Sequence, residues 1–92
     1  MPKVLIYKFI WIFVIFDTDL YENRKHIHVG KKGTKKLCKI WLEPAISLAD
    51  PGDLTIKQQN EVLKITQSFL SELLKQWDVF RNGQRVKTII VN

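Results

Sequence analysis

The sequence predicts an α+β fold: an antiparallel sheet of four to five strands packed on one long helix, with a terminal strand after the helix. Three observations carry that prediction. The first half of the chain is rich in β-branched and aromatic residues, with apolar and polar positions alternating over its best-defined hairpin. The second half holds one long series of apolar residues at helical spacing. Breakers, Pro44 and Pro51-Gly52, separate the two halves. A chain of 92 residues has room for one domain, residues 1–92. Hydrophobic residues are 46% and charged residues 26%, the balance of a globular chain rather than a disordered one. Such a chain buries roughly 60–65% of its unfolded surface, enough for a marginal core without staples.

Residues 1–42 are β-rich. Strands are expected over 3–7 and 10–16, with a bend near Lys8-Phe9. No glycine or proline marks that bend, so one long bent strand is the alternative. The run from Val4 to Phe16 is broken only by Lys8. It falls short of the about 20 apolar residues that a helix needs to cross a bilayer, and its composition suits a pleated sheet. Asp17-Thr18-Asp19-Leu20 offers no small-residue cleavage site for a secretory leader. The expectation is a cytoplasmic protein that does not engage a membrane. Exposed, this run would invite aggregation, so it should be covered on both faces or paired early. Residues 17–23 are polar and read as a loop.

A hairpin follows. His26 and His28 alternate with Ile27 and Val29, and Cys38, Ile40 and Leu42 alternate with Leu37, Lys39 and Trp41. The intervening Gly30-Lys31-Lys32-Gly33-Thr34 suggests either a two-residue turn at Lys32-Gly33, pairing Lys31 with Thr34, or a four-residue loop pairing Gly30 with Lys35, and both give the same register. In that register Ile27 faces Cys38, His26 faces Lys39, His28 faces Leu37 and Arg24 faces Trp41. One face is then core (Ile27, Val29, Cys38, Ile40, Leu42), and the other carries both histidines, Lys39, Trp41 and Arg24. Residues 43–53 read as an irregular connection. Thr55 and Gln58 match a capping box, so a helix is expected over 55–81, about 26 residues and ~39 Å long. Val62, Ile65, Phe69, Leu73, Trp77 and Phe80 form its apolar stripe, widened by Leu63, Leu70 and Leu74. Asn82-Gly83 is a C-terminal cap, and residues 84–91 read as the last strand.

The charge is strongly polarised. The net charge is +6, and between Asn23 and Leu42 lie seven basic residues and no acidic one: Arg24, Lys25, Lys31, Lys32, Lys35, Lys36 and Lys39. The other residues carry eight basic and nine acidic groups, a net of −1. A local excess of this kind suggests an anionic partner, whereas uniform basicity would suggest only solubility.

His26-Ile27-His28-Val29, Lys39-Ile40-Trp41-Leu42-Glu43-Pro44 and Glu72-Leu73-Leu74 followed by Trp77, together with Pro2 at the start, resemble an uncharacterised bacterial family of small proteins, domain-of-unknown-function family 4160. The resemblance covers roughly residues 1–80 in the same order. The family pattern has a glycine-containing bend near positions 8–9 and prolines before the first histidine, where this chain has Lys8-Phe9 and Asn23-Arg24-Lys25. Residues 82–92 look like an addition to the shortest members. The resemblance implies a neighbouring small partner protein, in an arrangement that looks like a toxin–antitoxin pair.

Three functional readings follow. In the first, the chain is a binding module: Arg24, Lys25, Lys31, Lys32, Lys35, Lys36 and Lys39 contact nucleic acid or an acidic protein partner, with Trp41 stacking on unpaired bases. In the second it is a metal-independent ribonuclease, with His26 and His28 as general acid and base and Lys39 and Arg24 lowering their pKa values and stabilising the phosphorane. No carboxylate is expected beside that cluster, which is unusual for a hydrolase. In the third it is a structural partner-binding protein or homodimer, acting through its helix face (Leu63, Leu70, Leu74) or its edge strand. Two histidines supply only two of the three or four ligands zinc wants, and no other residue is marked as a third, so neither a metal site nor a cofactor is expected. Cys38, alone in the chain, alternates with core positions and reads as a buried structural thiol.

Overall fold

The computed structural model describes residues 2–92, apart from the side chain of Leu20. The chain forms β1 (Lys3–Tyr7), β2 (Trp11–Val14), a 3-10 turn (Asp17–Tyr21), β3 (His26–Gly30), β4 (Cys38–Trp41), β5 (Ser47–Asp50), α1 (Ile56–Ser68), α2 (Leu70–Arg81) and β6 (Ile89–Val91). The α+β class holds, with six strands and two helices in place of four to five strands and one helix. Strand order is β5-β4-β3-β2-β1-β6: a five-strand antiparallel meander, with β6 returning after the helices to lie parallel to β1.

The Val4–Phe16 run is a hairpin rather than one bent strand. Lys8 and Phe9 both adopt positive φ, 51° and 58°, and Ile10 N–H donates to Tyr7 O. Positive φ at two successive central residues is the dihedral requirement of a type I′ turn, met here without glycine. Both strands are then paired inside the sheet, which answers the aggregation hazard of their sequence. Among the described residues, no helix is long and apolar enough to cross a membrane.

The β3–β4 register differs from the expected one by two residues. Ile27 pairs with Ile40, His26 with Trp41, His28 with Lys39 and Val29 with Cys38. Of the two turns, the two-residue one is present: Thr34 N–H donates to Lys31 O, and Gly33 has φ 93°. The ladder does not continue from it because Asp53 Oδ2 takes the N–H groups of both Lys35 and Lys36, each at 2.9 Å. Asp53 N–H in turn donates to Lys36 O. An even shift keeps every side chain on its expected face. Ile27, Val29, Cys38, Ile40 and Leu42 are all buried.

Residues 43–53 hold an unforeseen strand, β5, on the outer edge of β4. The helix starts as expected: Thr55 Oγ1 accepts from Gln58 N–H, and Gln58 Oε1 accepts from Thr55 N–H. It is interrupted at Phe69 (φ −117°, ψ 22°). Thr66 Oγ1 and Ser68 Oγ, just before, each donate to the carbonyl four residues back, a contact that bends helices. The bend lays Phe69 edge-on against Tyr7. Gly83 (φ 72°) closes α2 in a Schellman motif, with Gln84 N–H on Val79 O and Gly83 N–H on Phe80 O. Between the helices and one sheet face lies the core: Leu5, Phe13, Ile27, Val29 and Ile40 against Val62, Ile65, Leu73 and Trp77. Leu63, Leu70 and Leu74, which widen the stripe and which the third reading would use as a partner surface, are partly buried and pack against this core.

Candidate functional site

The basic stretch does not stay free of acid once the chain folds. Lys25 Nζ pairs with Asp78 at 2.9 Å, Lys36 Nζ with Asp50 at 3.3 Å and Lys39 Nζ with Glu22 at 3.0 Å. Arg24 Nε donates to Glu43 O, and its guanidinium lies 4.2 Å from the centre of the Trp41 ring. Lys39 Nζ lies 4.5 Å from the same ring centre. The indole expected to stack on bases is therefore already engaged by two cations. Lys31, Lys32 and Lys35, around the β3–β4 turn, have no ion-pair partner among the described residues. Lys31 and Lys32 join Lys3 on the rim of a groove of about 180 Å³ whose walls include Ile12, Val14 and Leu37.

His26 and His28 alternate with the core-facing Ile27 and Val29 and pair with Trp41 and Lys39, but neither is a free surface group. The 3-10 turn folds over them. His26 is fully buried and the His28 side chain is 16% exposed. Their rings meet edge to face, with Phe16 against His28 and Trp41 and Trp77 against His26. Trp77 Nε1 donates to the His26 carbonyl, tying α2 to the start of β3. The turn also delivers two carboxylates that sequence reasoning did not place there. Asp19 is buried, with Oδ1 3.0 Å from His26 Nε2 and Oδ2 3.2 Å from His28 Nε2. Glu22 Oε2 lies 4.0 Å from His26 Nδ1. The expectation of a histidine cluster without a nearby carboxylate is thus corrected, and a third ligand-bearing residue stands beside the pair. The one signal in the sequence was the set of acidic residues, Asp17, Asp19 and Glu22, in the polar loop leading to the first histidine. Nothing in the spacing said that the loop would fold back across the sheet.

Asp19 is fixed by its own surroundings. Its Oδ2 accepts from Phe16 N–H at 2.7 Å, which caps the 3-10 turn. Burial by itself would raise this carboxyl. The His26 contact, the Phe16 N–H and the charge of the two histidines outweigh it and hold the pKa below the ordinary value. His28 is shifted down, chiefly by burial, with Asp19 opposing. The direction expected for a histidine near Lys39 is therefore found, but Lys39 is its smallest cause. Cys38 is buried, and burial pushes its thiol up to about 11, which suits a packing residue and not a nucleophile.

No curated protein and no solved structure matches this chain. The family model described as "Domain of unknown function (DUF4160)" matches residues 10–78, a segment that contains both histidines, Asp19, the basic loop and most of the helical layer. This chain belongs to that family.

Proposed function

We propose that the protein is a binding module that contacts nucleic acid through the tip of the β3–β4 loop, with Lys31, Lys32 and Lys35 as its phosphate contacts and Lys3 beside them. One observation carries the reading. Acidic residues from elsewhere in the chain pair with Lys25, Lys36 and Lys39, whereas Lys31, Lys32 and Lys35 keep their charge unpaired among the described residues. Three or four contacts give a log–log salt slope of roughly −3 to −4 on duplex DNA, less steep than the whole basic stretch would give. The reading also suits one half of a two-protein system, with an acidic protein as the alternative occupant of the same tip. The ribonuclease reading has less support. A general acid or base must reach the proton it moves, and His26 has no exposed surface.

The test is binding to labelled single- and double-stranded RNA and DNA across a salt series, with substrate integrity followed on a gel. Affinity should fall roughly 40- to 150-fold between about 50 and 200 mM salt. Replacing Lys31, Lys32 and Lys35 together by Glu should abolish binding, while Lys36→Ala, which removes an already paired cation, should leave the slope unchanged. Absence of binding at low salt would sink the nucleic-acid reading and point to an acidic protein. Cleavage lost in His28→Ala would restore the ribonuclease.

A further inference from the structure

We propose that Asp19, His26 and His28 form a binding site for a first-row divalent transition-metal ion, with zinc the best match to the donors and with a coordination position left open. The three residues each offer one ligand atom, and those atoms all lie within 4.8 Å of one another. Ligands at about 2.0–2.1 Å from a tetrahedral zinc lie roughly 3.3 Å apart. Asp19 Oδ1 lies 3.0 Å from His26 Nε2 and 3.2 Å from His28 Nε2, close to that spacing before any ion is considered.

The second observation is the state of His26. Its Nδ1 lies 2.9 Å from Arg24 O, and a carbonyl can only accept, so Nδ1 carries the proton. In the neutral ring Nε2 is then a bare lone pair. It is fully buried and has no hydrogen-bond partner among the described residues, although Asp19 Oδ1 is 3.0 Å away. Two acceptors therefore face each other, and a cation must lie between them, either a second ring proton or a metal. Alignment separates the two. A proton wants the oxygen on the axis of the ring nitrogen, and among the described residues no oxygen meets hydrogen-bond geometry at His26 Nε2. An ion at about 2.0–2.1 Å from both atoms places the oxygen roughly 40° off the axis.

The surroundings fit the same assignment. Metal-bound histidines commonly give their other N–H to a backbone carbonyl, as His26 does to Arg24. Asp19 is oriented by Phe16 N–H. The Phe16, Trp41 and Trp77 rings shield the site, and the partly exposed side of His28 provides the way in. Glu22 faces the far side of His26 and is held by Lys39, so it is not a donor in this arrangement. Two imidazoles and one carboxylate contain too little oxygen for magnesium or calcium and suit zinc, cobalt or iron(II). Three protein ligands are the number found where zinc keeps a position for water or a substrate.

The experiment uses the full chain, first stripped with a chelator. Zinc is titrated in by calorimetry near neutral pH, and cobalt(II) is used as a spectroscopic probe. Saturable one-to-one zinc binding is expected, weakened by about 100-fold or more in Asp19→Asn and in His28→Ala. Cys38→Ala should bind as the unaltered chain does. Cobalt should give the intense visible absorption of a four- or five-coordinate ion. That spectrum is read on the unaltered chain, so it remains decisive if a variant fails to fold. The proposal is overturned by a cobalt spectrum no different from the aqueous ion, by the absence of saturable zinc binding, or by binding that survives both ligand substitutions in folded protein.

Discussion

Gly52 shows how a single position can fix a loop. Its φ is +57°, and a Cβ built there would run into Lys36 O and lie 2.6 Å from Leu37 O. Both obstacles are backbone, so no side-chain rearrangement relieves them. Gly33 has φ +93°, but a Cβ there would meet nothing within 4 Å. The pair separates two effects that every glycine-to-alanine change mixes. Gly33→Ala should cost only the conformational term, about 1 kcal/mol. Gly52→Ala should cost about 2–4 kcal/mol, because the β3–β4 loop must move off the segment that holds it. Urea denaturation of both variants checks this, and equal losses would mean that the close approach at Gly52 contributes nothing. Lys8 and Phe9 make the converse point, since two residues with side chains hold positive φ in a turn whose dihedrals favour glycine. The side-chain tolerance of that turn was not readable from residue types, which is why a single bent strand stayed open.

At the scale of elements, what could be read from the sequence was what local chemistry decides. The Thr55–Gln58 box, the Asn82-Gly83 stop and the core face of the hairpin all depend on residues a few positions apart. What could not be read depends on residues far away. The hairpin register is set by Asp53, 17 and 18 positions from the N–H groups it accepts. The break at Phe69 follows two back-bonded hydroxyls inside an otherwise uninterrupted stripe. Asp19 reaches the histidines only because the 3-10 turn folds back over the sheet. The Asp53 contact makes a pH prediction. The Lys36 and Lys35 N–H groups hold its carboxyl below the ordinary value of 3.8. A carboxyl depressed in the folded state stabilises the fold above its unfolded pKa, and that stabilisation is lost as pH falls through the folded value. Asp53→Asn should therefore be less stable than the unaltered chain at neutral pH, and the gap should narrow on acidification below about pH 4. Urea midpoints across pH measure the gap; curves that stay parallel would show that the loop is held by something else. Asp50, depressed mainly by Gly52 N–H and by Lys36, remains in the variant, so some acid dependence should persist.

Over the whole molecule, the chain closes its sheet with a strand outside the segment matched by the family model. That match ends at residue 78, and β6 (Ile89–Val91) lies beyond it. β6 pairs with β1 from Leu5–Ile89 to Tyr7–Val91. Thr88 Oγ1 donates to Lys3 O, and Gln76 Nε2 bridges Val4 O and Lys87 O at 3.0 and 2.6 Å. Val86, Ile89 and Val91 are half-buried against the core. Without this segment β1 becomes an edge strand of the sequence KVLIY, apolar at most positions, with its hydrogen-bonding groups unpaired. A chain ended after Gln84 keeps the Schellman cap of α2 and removes the strand together with the Val86, Lys87 and Thr88 contacts. Loss of the apolar contacts should lower stability by about 2–3 kcal/mol. The freed edge should also recruit a second copy, giving self-association that grows with concentration and exceeds that of the full chain. Sedimentation velocity over a concentration series reads the association, and urea denaturation reads the stability. A truncated chain with the mass and stability of the full one would show that β1 needs no cover. It would also make the C-terminal segment an appendage and not the sixth strand of a single cooperative sheet.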